Sequence, residues 1–181
     1  LTALGKKLHF VNRLDQETSG LMVVAQRPEG HELISLALER GQKFYRALLR
    51  SPWKAPESEV VWNWPISDKA EGRKNPQGGS ADRKNAETRV KILRSNQYFT
   101  EIQAEILTGR QHQIRKHAAL AKHAIVGDKR YNEEKYNLNI EKFYSQKRMC
   151  LHAEKIVFKF LDKNYEFKSP LDFDVFFERA E

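Results

Sequence analysis

The sequence predicts an α+β fold: a mixed, mostly antiparallel central sheet with few flanking helices. Three observations carry that reading. Runs with the two-residue alternation of strands outnumber runs with helical spacing. No βαβ alternation and no internal repeat is visible, which argues against an all-parallel sheet. The 181 residues, 40% of them hydrophobic, suit a single domain, residues 1–181, with one long insertion.

Taken in order, residues 9–14 read as a strand and residues 21–26 as another, joined by a polar turn over 15–20. Pro28 opens a helix over 29–40, with Leu33, Leu36 and Ala37 at helical spacing and Gly41 as its C-cap. Residues 43–50 read as a strand whose Lys43, Tyr45, Ala47 and Leu49 share one face. A loop over 51–56 leads to a short strand over 60–66. Residues 67–85 mix charges with Gly72, Pro76, Gly78 and Gly79 and hold almost no apolar side chains. That composition predicts a mobile surface loop or insertion. Residues 86–94 and 98–107 form an antiparallel pair around Ser95-Asn96-Gln97. Residues 111–122 read as a helix with Ile114, Ala118 and Ala121 on one side. An apolar stretch over 124–128 ends in a turn, and the polar run 132–146 fits one or two helical turns. A strand over 151–160, a turn at Asp162-Lys163-Asn164, a partner strand over 165–168 and a helix over 172–180 close the chain.

Lys and Arg number 32 against 24 Asp and Glu, a formal net charge of +8. Such a surplus favours an anionic partner, whether RNA, DNA or an acidic membrane surface. A merely soluble basic protein would have the same balance. Cys150 is the only cysteine, so no disulfide forms within the chain, and a reducing cytosol is the simpler compartment. No run approaches the roughly 18 apolar residues of a membrane span, and residues 1–7 lack the apolar core of a signal peptide. The histidines at 9, 31, 112, 117, 123 and 152 are scattered, and His112 and His117, five apart, share no helical face, so no metal site is expected. Ser19 has no nucleophile-elbow context, and neither a P-loop nor a dinucleotide fingerprint occurs.

One stretch remains: Arg13-Leu14-Asp15-Gln16-Glu17-Thr18-Ser19-Gly20. A carboxylate at a strand-to-loop junction is placed to meet a substrate. In isolation Asp15 reads more readily as a turn residue bonding its own backbone. A second polar cluster, Gly109-Arg110-Gln111-His112-Gln113-Ile114-Arg115, supplies arginines able to pair with that carboxylate. The octet fits Arg-Leu-Asp-x-x-Thr-Ser-Gly at every fixed position, and the second cluster fits Gly-Arg-x-His-Gln-x-Arg. Together they resemble the catalytic signatures of the RluA/RsuA-type pseudouridine synthases, enzymes that isomerise uridine in RNA. Lys43-Phe44-Tyr45 resembles that family's Lys-x-Tyr strand. Lys84-Asn85-Ala86-Glu87-Thr88 looks like its Lys-x-Ala-x-Thr segment. His123-Ala124-Ile125-Val126-Gly127-Asp128 looks like its His-Pro-Ile-x-Gly-Asp turn, and Leu151-His152-Ala153 like its Leu-His-Ala strand start. The match runs in family order from residue 9 to 160. Asn12 stands where the family has His, and Ala124 where it has Pro. The chain begins without Met and its motif comes early, so an N-terminal portion, with the family's opening strand, is expected to be missing.

The resemblance implies isomerisation of specific uridines in ribosomal or transfer RNA, without cofactor or metal, by a monomeric cytoplasmic enzyme. It implies that Asp15 is catalytic, either attacking the sugar or base or promoting a glycal intermediate, and that Arg115 holds it. A partly desolvated carboxylate needs such a cation to stay ionised. Tyr45 would pack on the uracil and is a candidate for proton transfer, and Ile125 would line the uracil pocket. Arg13, Lys43, Arg110, His112 and Gln113 would contact the substrate. Arg13 would either refill the gap left by a flipped base or touch a phosphate. Arg13, Lys43, Lys84, Arg110 and Lys116 are expected to border one cleft. A different class, a catalytically silent RNA-binding or RNA-chaperone protein, would use the same basic cleft.

Overall fold

A computed structural model of the protein describes residues 2–3, 6–69 and 72–178. The strands β1 (Thr2–Ala3), β2 (Lys6–Lys7), β3 (His9–Phe10), β4 (Ser19–Gly20) and β5 (Val24–Ala25) are all two residues long. Helix α1 (Pro28–Glu39) leads into the nine-residue strand β6 (Gln42–Arg50). Then come β7 (Glu59–Trp62), β8 (Ile66–Ser67), β9 (Arg83–Lys84), β10 (Thr88–Ser95) and β11 (Phe99–Ile106). Helices α2 (Gln113–Leu120) and α3 (Glu134–Tyr144) precede β12 (Leu151–Phe160), β13 (Lys163–Lys168) and the short α4 (Val175–Glu178).

The central sheet runs β13-β12-β6-β11-β10-β7 with every neighbour antiparallel, and β4 joins β12 in parallel. The expected α+β architecture is therefore the observed one. In central β6, Ala47, Leu48 and Leu49 are all fully buried, as a strand covered on both faces requires. On one face Ala47 and Leu49 pack with Ile102, Ala104, Leu151 and, from α2, Ile114 and Ala118. On the other, Leu48 and Phe99 meet Ile140 of α3 and Phe176 of α4. Helix α1 covers β12 through Leu38, Ile156 and Phe158.

Several expected boundaries move, each for a local reason. The single strand expected over 60–66 is two strands, because Pro65 has no N–H to give a ladder. Residues 132–146 hold an eleven-residue helix whose Tyr136, Ile140 and Tyr144 repeat at four-residue spacing onto the core. The turn after β12 falls at Leu161 and Asp162, both left-handed (φ 46° and 60°), the signature of a two-residue hairpin turn. The closing helix expected over 172–180 spans only Val175–Glu178, and residues 179–181 lie outside the described set. Gly41 is not the C-cap of α1; Arg40 is. A Cβ at Gly41 would lie 2.5 Å from the carbonyl oxygen of Val157, so the glycine serves the close approach of the helix exit to β12. The segment expected as a mobile loop over 67–85 carries the β8–β9 pairing and two 3₁₀ turns, Gly72–Lys74 and Ser80–Asp82. Ser67 N–H donates to Gln77 O, and the Arg83 guanidinium donates to Gly78 O. Among the described residues no helix is long and apolar enough to cross a membrane.

Candidate active site

The expected strand over 9–14 stops at Phe10. Val11 N–H still donates to Val23 O, and the Asn12 carboxamide oxygen accepts from Val23 N–H at 2.7 Å, closing the ladder. The chain then leaves the sheet, and Arg13, Leu14 and Asp15 enter a cleft. Thr18 N–H donates to the backbone carbonyl of Asp15 at 2.9 Å, so the turn uses that carbonyl and leaves the carboxylate free of it. Ser19 and Gly20 then pair with His152 and Ala153. Gly20 has φ 110°, and a Cβ there would lie 2.3 Å from Ala153 O, so only glycine fits. Ser19 Oγ lies 2.8 Å from His152 Nδ1, and His152 Nε2 lies 2.7 Å from Ser169 O. A carbonyl only accepts, so Nε2 carries a proton and the ring is fixed between the Ser19 hydroxyl and Ser169 O. Lys129 adds an exposed ion pair to Glu17 at 2.9 Å.

The opposite wall is the entry to α2. It begins at Gln113, two residues later than expected, because His112 is left-handed (φ 54°). Gln113 sets this turn with every polar atom of its side chain. Its Oε1 accepts from Thr108 Oγ1 and Arg110 N–H, and its Nε2 donates to Glu87 O and Thr88 Oγ1. Gln113 thus shapes the cleft wall and has no bond left over for a substrate.

Arg115 projects from α2 toward two carboxylates. Its Nε and one terminal nitrogen bind Asp128 at 2.7 and 2.9 Å, and the other terminal nitrogen reaches Asp15 at 3.4 Å. Asp128 is fully buried and also accepts backbone N–H bonds from Arg130 and Tyr131. Burial opposes the Arg115 charge, but the bonds and charge of Asp128, then those of Asp15, outweigh it and raise its pKa. His112 Nε2 lies 3.8 Å from the other Asp15 oxygen, and its Nδ1 lies 3.1 Å from Tyr131 Oη. Burial, opposed by Asp15 but reinforced by Arg115, Lys116 and Arg130, lowers the His112 pKa, so the ring is neutral at pH 7. Tyr45 faces the same space from β6. Burial and then the charge of Asp15 push its phenol up to about 12.

The cleft has a volume of about 440 Å³. Asp15, Tyr45, Arg115, Arg13, Arg110, His112 and Gln113 all line it, over an apolar floor of Ile106, Ile114 and Leu151. Ile125 is a correction: it is fully buried, bridged to Leu49, and does not line the cleft. Lys43 faces an adjoining hollow with Glu39 and Glu105. Lys116 is only 1% exposed, and its ammonium donates to Ser67 O and Gln111 O, so it offers nothing to a phosphate. Lys84 is paired with Asp68 at the cleft edge. The basic rim therefore narrows to Arg13 and Arg110. Asp128, which orients Arg115, reads in the sequence only as part of a turn; its spacing three residues before the Tyr131-Asn132 pair gives no hint of that role.

The sequence profile of the RNA pseudouridylate synthase family matches residues 2–120. The chain belongs to this family. The ribosomal large subunit pseudouridine synthase C of Vibrio cholerae is 34% identical over 172 residues, which cover 91% of this chain and 52% of that protein. Its namesake in Escherichia coli (strain K12) is 32% identical over 158 residues, 83% of this chain and 48% of that protein. The chain thus spans about half the length of these curated relatives. Among solved structures, human RNA pseudouridylate synthase domain containing 1 superposes with TM-score 0.76 at 26% identity, covering 91% of this chain and 69% of that one. Human RNA pseudouridylate synthase domain containing 4 gives TM-score 0.74 at 22% identity over 93% and 73%, and so speaks to the fold alone.

Proposed function

We propose that this synthase-family chain isomerises uridine to pseudouridine in RNA, with ribosomal RNA of the large subunit as the substrate. The carrying observation is the half-buried Asp15 carboxylate in the cleft, 3.4 Å from an arginine that a second carboxylate orients. The names of the similar bacterial proteins support the choice of ribosomal over transfer RNA.

In the reaction the glycosidic N–C bond breaks, the uracil turns, a bond forms from the sugar to uracil C5, the C5 proton leaves, and the freed N1 takes up a proton. The cleft volume of about 440 Å³ falls in the range of about 300–1,000 Å³ typical of small-molecule sites. Asp15 triggers the exchange, either as a nucleophile or through a glycal. Arg115 keeps its charge and its orientation, because two of its nitrogens are already fixed to Asp128. Tyr45 stacks on the base, and its phenol, with a pKa of about 12, enters the reaction protonated, as a hydrogen-bond or proton donor. Ile114 and Leu151 supply the apolar contact assigned to Ile125 on sequence grounds. Arg13 and Arg110 meet the RNA backbone. The enzyme acts in the cytoplasm as a monomer.

Release of tritium from 5-labelled uridine in ribosomal RNA tests the reading. Release by the wild-type chain and none by Asp15→Asn is the expected result. RNA binding without release would overturn it in favour of the silent RNA-binding protein.

A further inference from the structure

We propose a second RNA contact at the far end of α2, where Trp53, His123, Lys54 and Lys122 form a hollow that takes a nucleobase and its phosphate. The proposal rests on the RNA reading above but concerns a place outside the catalytic cleft. The hollow has a volume of about 590 Å³, and among the described residues no carboxylate lines it. Its wall is an aromatic pair: the rings of Trp53 and His123 lie 5.1 Å apart at 40°. Both rings are held in place. The Trp53 indole N–H donates to Glu57 O at 2.9 Å, its backbone N–H donates to Ser95 Oγ, and His123 Nδ1 lies 3.2 Å from Arg50 O. Lys54 and Lys122 are exposed on the rim. A preset aromatic face beside cations is the construction that single-stranded nucleic acid uses for stacking and phosphate contact.

The backbone gives an independent observation. Six non-glycine residues have positive φ among those described, and two of them, Ser51 at 77° and Lys122 at 66°, line this hollow. Lys122 terminates α2 in a Schellman turn: its N–H donates to Ala119 O and that of His123 donates to Ala118 O. Glycine is the favoured residue at that position, because a Cβ strains the left-handed conformation. The chain holds a lysine there instead, and strain retained at a surface site points to a role beyond folding. Ten residues separate Lys122 from His112 at the catalytic end of α2, about 15 Å at helical rise. That is the length of about four stacked nucleotides. Residues Gln113 to Ala118 between them are buried, so a strand that reaches both places runs over the surface covering α2 and needs more than four nucleotides.

The test compares two uridine-containing single-stranded RNAs, one of about five and one of about twelve nucleotides, within the site sizes such surfaces cover. Fluorescence anisotropy gives the affinities of wild type, Trp53→Ala and Lys122→Gly. Trp53→Ala should bind the longer RNA about 5- to 100-fold more weakly and Lys122→Gly about 3- to 10-fold more weakly; both should leave the shorter one within twofold and keep the wild-type rate of tritium release at saturating RNA. Lys122→Gly should do this while raising the urea midpoint, since it relieves the backbone strain. A purely structural Lys122 would gain stability with no change in binding. Unchanged affinity of Lys122→Gly for the longer RNA would overturn the proposal, as would equal weakening for both RNAs. Wild-type protein that binds neither RNA would instead sink the RNA reading itself.

Discussion

Two arginine–carboxylate clusters lie on opposite faces of β6, and they leave their carboxylates in different states. On the face away from the cleft, Arg46 donates to Glu101 and Glu154, and Arg94 donates to Glu101 and Asp174. Glu101 is 1% exposed and takes one arginine on each oxygen, and Gln103 caps the second oxygen of Glu154. This network is closed. On the cleft face, Arg115 gives its two shortest bonds to buried Asp128 and only a 3.4 Å contact to Asp15, which stays 25% exposed. The same ion-pair chemistry is thus a strut in one place and a holder in the other. A carboxylate saturated by close donors is locked into the fold. One held at the edge of an already anchored guanidinium keeps a free oxygen and part of its surface open, and can still meet a reactant.

Removing the open carboxylate should have the largest functional effect. Asp15→Asn should abolish tritium release while RNA affinity stays within a few-fold of wild type, because an anion contributes nothing to phosphate contact. Turnover by this variant would break the comparison at its root. Tyr45→Phe comes next: RNA binding should be unchanged and single-turnover isomerisation about 10²–10⁴-fold slower if the phenol donates a proton. Wild-type turnover in the Phe variant would reduce Tyr45 to a stacking surface.

The closed and open clusters can then be set against each other. Glu101→Gln and Asp128→Asn each strip one buried carboxylate from its arginines. Asp128→Asn should cost about 3–5 kcal/mol in urea denaturation, the usual loss when half of a buried pair is removed, and Glu101→Gln less, because Arg46 and Arg94 are partly exposed and keep Glu154 and Asp174. Only Asp128→Asn should also slow isomerisation per folded molecule, since only it releases the guanidinium beside Asp15. Equal turnover in the two variants would mean that Asp128 is a strut like Glu101.

Smaller effects concern what surrounds the cleft. Burial, only partly offset by the charge of Asp68, pushes Lys116 down to about 8 from an ordinary 10.5. Between those two pH values the unfolded chain binds a proton that the folded chain does not, so stability rises with pH there. Below about pH 8 both states are protonated and the full penalty of the buried charge is present. Relative to Lys116→Met, the wild type should gain on the order of 3 kcal/mol between pH 8 and 10.5, at ~1.4 kcal/mol per unit. A flat difference across that window would show that the two carbonyls facing the ammonium hold it charged. Ser19→Ala removes the hydroxyl that ties the Asp15 loop to His152, and about 1 kcal/mol of stability should go with it.

The sequence by itself determined the α+β architecture and the two hairpin pairings, and its family resemblance pointed to Asp15, Tyr45 and Arg115, which line one cleft. Strand alternation and two fixed-spacing motifs are local patterns, and local patterns survive in a bare sequence. What faces what was decided only by the tertiary structure. Ile125 and Ile114 are the same residue type, yet one is sealed against β6 through its bridge to Leu49 while the other floors the cleft. Lys116 reads as a helix cation, but β8 passes beside it and its ammonium is taken by Ser67 O. Arg115 reads as the partner of Asp15, but Asp128, thirteen residues away along the chain, comes closer. Gly41 reads as a helix cap, but the carbonyl of Val157 is what excludes a side chain there. In each case the deciding atom lies on another element. Burial and pairing are properties of two surfaces in contact, and a single stretch of sequence describes only one of them.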